Sequence, residues 1–250
     1  MSVRLTQLFE ASWYEHLHRF NFLPSQILHP SWVFRFSPQD VITTLSPQLP
    51  PADLHRHWSA HILVLLGLAD RPCLDPSAPL LPLAILPAPM FDRLVMLAGL
   101  SLAGKALRQL IRRDDITTLR RVLAPDLLAF VLQDAPLLHP GLDLGQRAVQ
   151  QLLELPGPLG ASALLSAMQG APDEMFERVR LRLDAATAVP LLMPLASEVT
   201  TDAPHDAPGD APHDADRQPF PLDNNEALAL MLRITDFLDP AWLSSFELPH

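Results

Sequence analysis

Met90-Phe91-Asp92-Arg93-Leu94-Val95-Met96-Leu97-Ala98-Gly99-Leu100-Ser101-Leu102-Ala103-Gly104-Lys105-Ala106-Leu107-Arg108-Gln109-Leu110-Ile111-Arg112 is the stretch that decides the fold. Its apolar residues recur at helical spacing, and Pro89 stands just before it, where a missing backbone N–H costs nothing. Asp92 lies in the expected first turn. Lys105, Arg108, Arg112 and Arg113 crowd the last, the charge order that suits a helix dipole. The spacing predicts one long helix over residues 90–112. Ala98, Gly99, Ser101, Ala103, Gly104 and Ala106 make its middle slim. Each mid-helix glycine costs about 1 kcal/mol against alanine, so close packing against neighbours is the expected return. Gly104→Leu is accordingly expected to overpack a helix contact by about 1–3 kcal/mol.

Working outward, similar patterns predict further helices. Residues 6–20 place Leu8, Phe9, Trp13, Leu17 and Phe20 near one face, and residues 51–68 read as a second long helix. A short helix is expected at 40–45. Residues 74–89 are proline-dense and apolar, and are expected to run extended along the core. Asp114 or Asp115 is placed to cap a helix reaching Leu123, and Pro125 with Asp126 to start another reaching Gln133. Helices over 143–155, 161–169, 173–183 and 223–238 follow. In 173–183, Met175, Phe176, Val179 and Leu183 define the apolar face, and Arg178, Arg180 and Arg182 are expected to point mostly elsewhere. Leu and Ala dominate the apolar set while Tyr occurs once, a bias toward helix. The 27 prolines cut the chain into short pieces. The fold expected is all-α: a single compact domain of about ten short helices. Residues 1–199 make the helical domain, 200–221 a disordered Asp/Ala/Pro-rich insertion, and 222–250 a C-terminal helix packing on the domain. The insertion repeats Asp202-Ala203-Pro204-His205, Asp206-Ala207-Pro208-Gly209 and Asp210-Ala211-Pro212-His213, with nothing large to bury.

Charge and cysteine usage narrow the function. The net charge of −10 disfavours nucleic acid as a partner, because such a chain repels phosphate backbones. The single cysteine, Cys73, allows no internal disulfide and fits a reducing compartment; beside Pro72 it reads as an inert thiol. Residues 1–7 have no apolar signal core. The uncharged run 94–104 is too short to span a bilayer, which takes about 20 residues, so membrane association is expected to run through a partner.

Four features invite a chemical reading. Gly99-Leu100-Ser101-Leu102-Ala103-Gly104-Lys105 matches the first part of a phosphate-binding loop. Ala106 stands where a Ser or Thr would hold magnesium, and helical periodicity runs straight through. His57 and His61, with His55 in the same expected helix, are four apart and could share a zinc ion, but Trp58 and Ser59 follow His57 where a metalloprotease has its Glu, and no nearby Asp or Glu completes a ligand set. A nucleotide- or metal-dependent enzyme using Gly104/Lys105 or His57/His61 is therefore the alternative reading. Asp114-Asp115 and Asp173-Glu174 fall at helix starts, where dipole and capping explain them. Arg108, Arg112, Arg113, Arg120 and Arg121, by contrast, stand out from an acidic background. They are expected to form a dock for an acidic partner, since Arg makes paired, directional hydrogen bonds. Were they only solvated helix ends, Trp13 and Trp32 would be the next candidates for the interface.

The stretch from residue 83 to 132 also carries a resemblance. It runs Leu83-Ala84-Ile85-Leu86-Pro87, Phe91-Asp92-Arg93-Leu94, Gly99-Leu100-Ser101-Leu102-Ala103-Gly104-Lys105-Ala106, and then Phe130-Val131-Leu132. Leu165-Ser166-Ala167-Met168 and Arg178-Val179-Arg180-Leu181-Arg182-Leu183 follow in order, preceded near the start by Phe22-Leu23-Pro24 and His29-Pro30-Ser31-Trp32. This order resembles the YscK/PscK proteins, the SctK family of type III secretion; the Asp-Ala-Pro-His repeats depart from it. The resemblance implies a non-enzymatic adaptor without cofactor, lying peripherally at the inner-membrane face in the cytoplasmic sorting platform. It would join the cytoplasmic domain of the ring protein SctD to the pod protein SctQ, and through SctQ reach SctL and the ATPase.

Overall fold

The computed structural model describes residues 12–36, 51–188 and 222–246; the expected helix at 40–45 and the insertion at 200–221 lie outside them. The described residues hold fourteen α-helices, two 3-10 turns and no strand. In chain order the helices are α1 (Tyr14–Phe22), α2 (Val33–Phe36), α3 (Pro51–Leu65), α4 (Leu81–Ala84), α5 (Ala88–Arg108), α6 (Arg113–Val122), α7 (Pro125–Gln133) and α8 (Ala135–Leu138). They continue as α9 (Val149–Glu154), α10 (Pro156–Ala167), α11 (Asp173–Arg180), α12 (Ala185–Ala188), α13 (Asn224–Leu238) and α14 (Pro240–Ser244). The all-α expectation holds, with several elements only one turn long. Proline occupies the first turn of α4, α5, α7, α8, α10 and α14, where the helix has no use for its N–H.

The long helix is the axis of the molecule. Every residue of α5 from Leu97 to Gly104 is buried, so the helix is wrapped on all sides. α10 crosses it, with α13, α7 and α8 packed around the remainder. The crossing with α10 depends on two glycines. A Cβ on Gly99 would sit 1.7 Å from the Pro156 carbonyl oxygen, and one on Gly160 would sit 1.8 Å from that of Val95. The two backbones therefore touch, and the slim face is the contact that the composition of residues 98–106 predicts. Ser101 and Thr235 are buried in α5 and α13. Each turns its hydroxyl back to the carbonyl four residues earlier, Leu97 (2.9 Å) and Met231 (2.8 Å), so no polar hydrogen is stranded.

The termini of the described chain close over this axis. Trp13, at the start of α1, stacks on Phe246 at 5.0 Å and donates to the Ser245 carbonyl at 3.2 Å. Trp242 of α14 donates to the Pro82 carbonyl at 2.9 Å. Trp32 donates to the Leu183 carbonyl at 2.7 Å, and the His29 amide to that of Leu181 at 2.9 Å. Ala227, Leu230, Met231 and Ile234 of α13 belong to the same apolar core as α5.

Some expectations need correction. Residues 74–89 pack into the core but are not extended throughout: Leu81–Ala84 coil into α4, with Pro82 in its first turn. The long helix ends at Arg108, four residues early, because Gln109 and Leu110 bond back only three residues and tighten the turn. Arg112 is then the extended residue before α6, and Asp114 and Asp115 lie in the first turn of α6 without making a side-chain cap. Trp13 and Trp32 are 1% and 2% exposed, which removes both from any outer surface.

Candidate functional site

The first chemical candidates dissolve on inspection of their surroundings. Gly99 to Lys105 lie inside α5, so their amides serve the helix and cannot wrap a phosphate. A loop also covers this stretch. Gly141, at φ +92°, sits against the Lys105 backbone, the Leu142 amide donates to the Leu102 carbonyl at 2.7 Å, and Asp143 reaches the Lys105 ammonium at 3.6 Å. His57 and His61 are exposed on α3, and His55 pairs with the Ser25 hydroxyl at 2.9 Å. Among the described residues, no group of three His, Cys, Asp or Glu is placed to hold a metal ion.

Cys73 is buried. Asn21 clamps it from both sides, accepting from its amide at 2.6 Å and donating to its carbonyl at 3.0 Å. Burial pushes the thiol up from its ordinary range, with the nearby Arg178 opposing the shift. The native protein at pH 8 is expected to react with a disulfide reagent at least about tenfold more slowly than the unfolded chain, because the thiolate is the nucleophile. Equal rates in buffer and in denaturant would show the thiol to be accessible.

The arginine cluster is divided by the fold. Arg108 is half-buried and donates to the Val131 carbonyl at 3.1 Å, which ties α5 to α7. It is a structural tie, and Arg108→Glu would break it. Arg112, Arg113, Arg120 and Arg121 are exposed on and beside α6. At about 100° per residue, Arg113, Thr117, Arg120 and Arg121 share the face opposite Leu119, the one buried residue of α6. No salt bridge ties any of the four to an acidic group among the described residues. Ile111 and Val122 flank this face and are 87% and 56% exposed.

Two other arginines matter that their charge places on the wrong side. Arg178 and Arg182 are 2% and 4% exposed, contrary to the expectation that they point away from the apolar face. For Arg178 the signal was available, since it sits between Met175 and Val179 on the buried side of α11; Arg182 lies in the turn after the helix, where no wheel places it. Arg178 donates to the Leu68 and Glu174 carbonyls, both at 3.0 Å. Arg182 donates to the Ala84 and Leu86 carbonyls, both at 2.6 Å, and its guanidinium lies 3.8 Å from the centre of the Phe91 ring. Burial pulls the Arg182 guanidinium down to about 9, with Asp92 opposing. Arg180 pairs with Glu177 and lies over the Trp32 ring at 5.2 Å.

A family model described as YOP proteins translocation protein K (YscK) matches residues 16–204. Neither a curated protein nor a solved structure matches the chain. The matched span ends before α13 and α14, although α13 packs on α5 and α10 inside it and Trp242 of α14 donates to the Pro82 carbonyl.

Proposed function

The chain belongs to the YscK family of type III secretion proteins, and from that premise we propose that it is a non-enzymatic adaptor of the cytoplasmic sorting platform, joining the SctD cytoplasmic domain to the SctQ pod. The observation that supports a docking role is the exposed row Arg112, Arg113, Arg120 and Arg121. It leaves a local positive strip on a chain of net charge −10. Such a strip steers and orients an acidic partner more than it adds raw affinity. Ile111 and Val122 beside it supply the apolar contact that a charge-only surface lacks. No helix among the described residues is long and apolar enough to cross a membrane, so attachment through SctD is the route proposed to the inner-membrane face.

Arg120→Glu with Arg121→Glu tests this reading without disturbing Arg108. Both side chains are exposed, so the variant is expected to melt as the wild type does. Capture of the partner that docks on α6 is expected to fall about tenfold at low salt, and wild-type capture to fall as salt rises through the range where exposed charges are screened. A folded double variant that captures both SctD and SctQ undiminished would remove α6 from the interface.

A further inference from the structure

A buried guanidinium wants a carboxylate, and Arg182 has none. Its partners are two backbone carbonyls and an aromatic face, which leave donors of its five N–H groups unused. Asp92 is felt only at a distance, and no carboxylate among the described residues lies within ion-pair reach. Burial of such a charge carries a desolvation penalty that two carbonyls offset only in part and that a bound anion would offset further.

Arg182 forms part of the wall of a cavity of about 150 Å³ between α1 and the start of α5. The other polar side chains in that wall are His16, Arg19 and Gln26; no acidic residue is among the lining. Pro87, Ala88 and Pro89 line it as well, so the first turn of the 21-residue helix α5, its positive dipole end, borders the cavity. Arg19 is bridged to the exposed Glu15, which is not in the lining, and His16 lies edge-on to Trp242. A second cavity touching Arg182 has Asp92 and Asp184 in its wall and repels an anion. The sign of the lining therefore selects the first.

We propose that the cavity bounded by His16, Arg19 and Arg182 is a carboxylate-binding site. The carboxylate takes up the spare donors of Arg182, and Arg19 and His16 close over it from the rim. The cavity has room for a carboxylate and the methylenes behind it, the size of an acidic side chain or of a small free acid. This site is separate from the α6 strip and does not depend on the adaptor reading.

Sodium propionate, the glutamate side chain without its backbone, is the probe. Melting is followed at constant ionic strength as propionate replaces chloride. The wild-type midpoint is expected to rise by about 4 °C at ten times the dissociation constant. Arg19→Gln with His16→Gln, both at the rim, is expected to remain folded and to bind propionate about fivefold more weakly. A wild-type midpoint that does not distinguish propionate from chloride overturns the proposal, as does a double variant that responds like the wild type. N-acetyl-glutamate N-methylamide separates the two sources. Binding as tight as that of propionate assigns the site to an acidic side chain of a partner. Its exclusion while propionate binds assigns the site to a free small acid.

Discussion

Gly99→Ala and Gly160→Ala are each expected to destabilise the protein by about 4 kcal/mol or more, at the far end of what single substitutions do. The new methyl carbons would fall 1.7 Å from the Pro156 carbonyl oxygen and 1.8 Å from the Val95 carbonyl oxygen. Both obstacles are backbone, so no side chain can swing aside, and α5 and α10 would have to move apart along their crossing. That separation opens the centre of the core, because Leu94, Leu97, Leu164 and Leu165 are fully buried around it. Gly104→Ala is the contrast. Its methyl would come 2.8 Å from the Arg108 guanidinium nitrogen that holds the Val131 carbonyl, a flexible side-chain end that can yield at the expense of that one hydrogen bond, and 3.7 Å from the Ala135 methyl, an ordinary contact. Its cost is expected to stay within about 2 kcal/mol, the alanine's helix propensity offsetting part of the crowding and of the strained Arg108 tie. Urea denaturation of the three variants gives the comparison. If Gly99→Ala and Gly104→Ala unfold at the same midpoint, the close approach of α5 and α10 is not as described.

Trp32→Ala is the second large effect, expected at about 3–5 kcal/mol. The indole is almost wholly buried, donates to the Leu183 carbonyl at 2.7 Å, stacks on Phe36 at 5.9 Å and carries the guanidinium of Arg180 on its face. Truncation removes all of these at once and leaves the Leu183 carbonyl without its donor. Trp32→Phe keeps most of the packing and loses the donor, so about 1–2 kcal/mol is expected from it. The pair separates two roles for this residue. A folding anchor loses stability in both variants in that order. An interface residue would keep its unfolding midpoint and lose partner capture, and that outcome would return Trp32 to the surface.

Periodicity and proline were enough to read the all-α class and the longer helices of this chain, because both act within a few residues; the one-turn helices such as Leu81–Ala84 were too short to carry a period. The start of α5 after Pro87 with Pro89 in its first turn, and the α7 start at Pro125, follow from local backbone chemistry that no tertiary contact has to complete. The small residues at 98–106 announced a close helix contact for the same reason: a helix does not accept two glycines without a return. The arginines were legible only as a group.

Which member of each pattern carries the contact was settled by the fold. Gly99 and Gly104 look alike in sequence, yet only Gly99 faces the backbone of α10, whose position depends on contacts some sixty residues away. Arg108 looks like Arg112, but the carbonyl it holds belongs to Val131 on another helix. Arg178 and Arg182 read as surface residues by charge. They are interior because Leu68, Ala84 and Leu86 bring carbonyls that no neighbouring residue supplies. Local propensity and spacing thus determined the helical class and the approximate places of the longer helices. The tertiary structure alone decided which faces meet and which charges are buried, since burial and hydrogen-bond partners belong to pairs of segments rather than to any one of them.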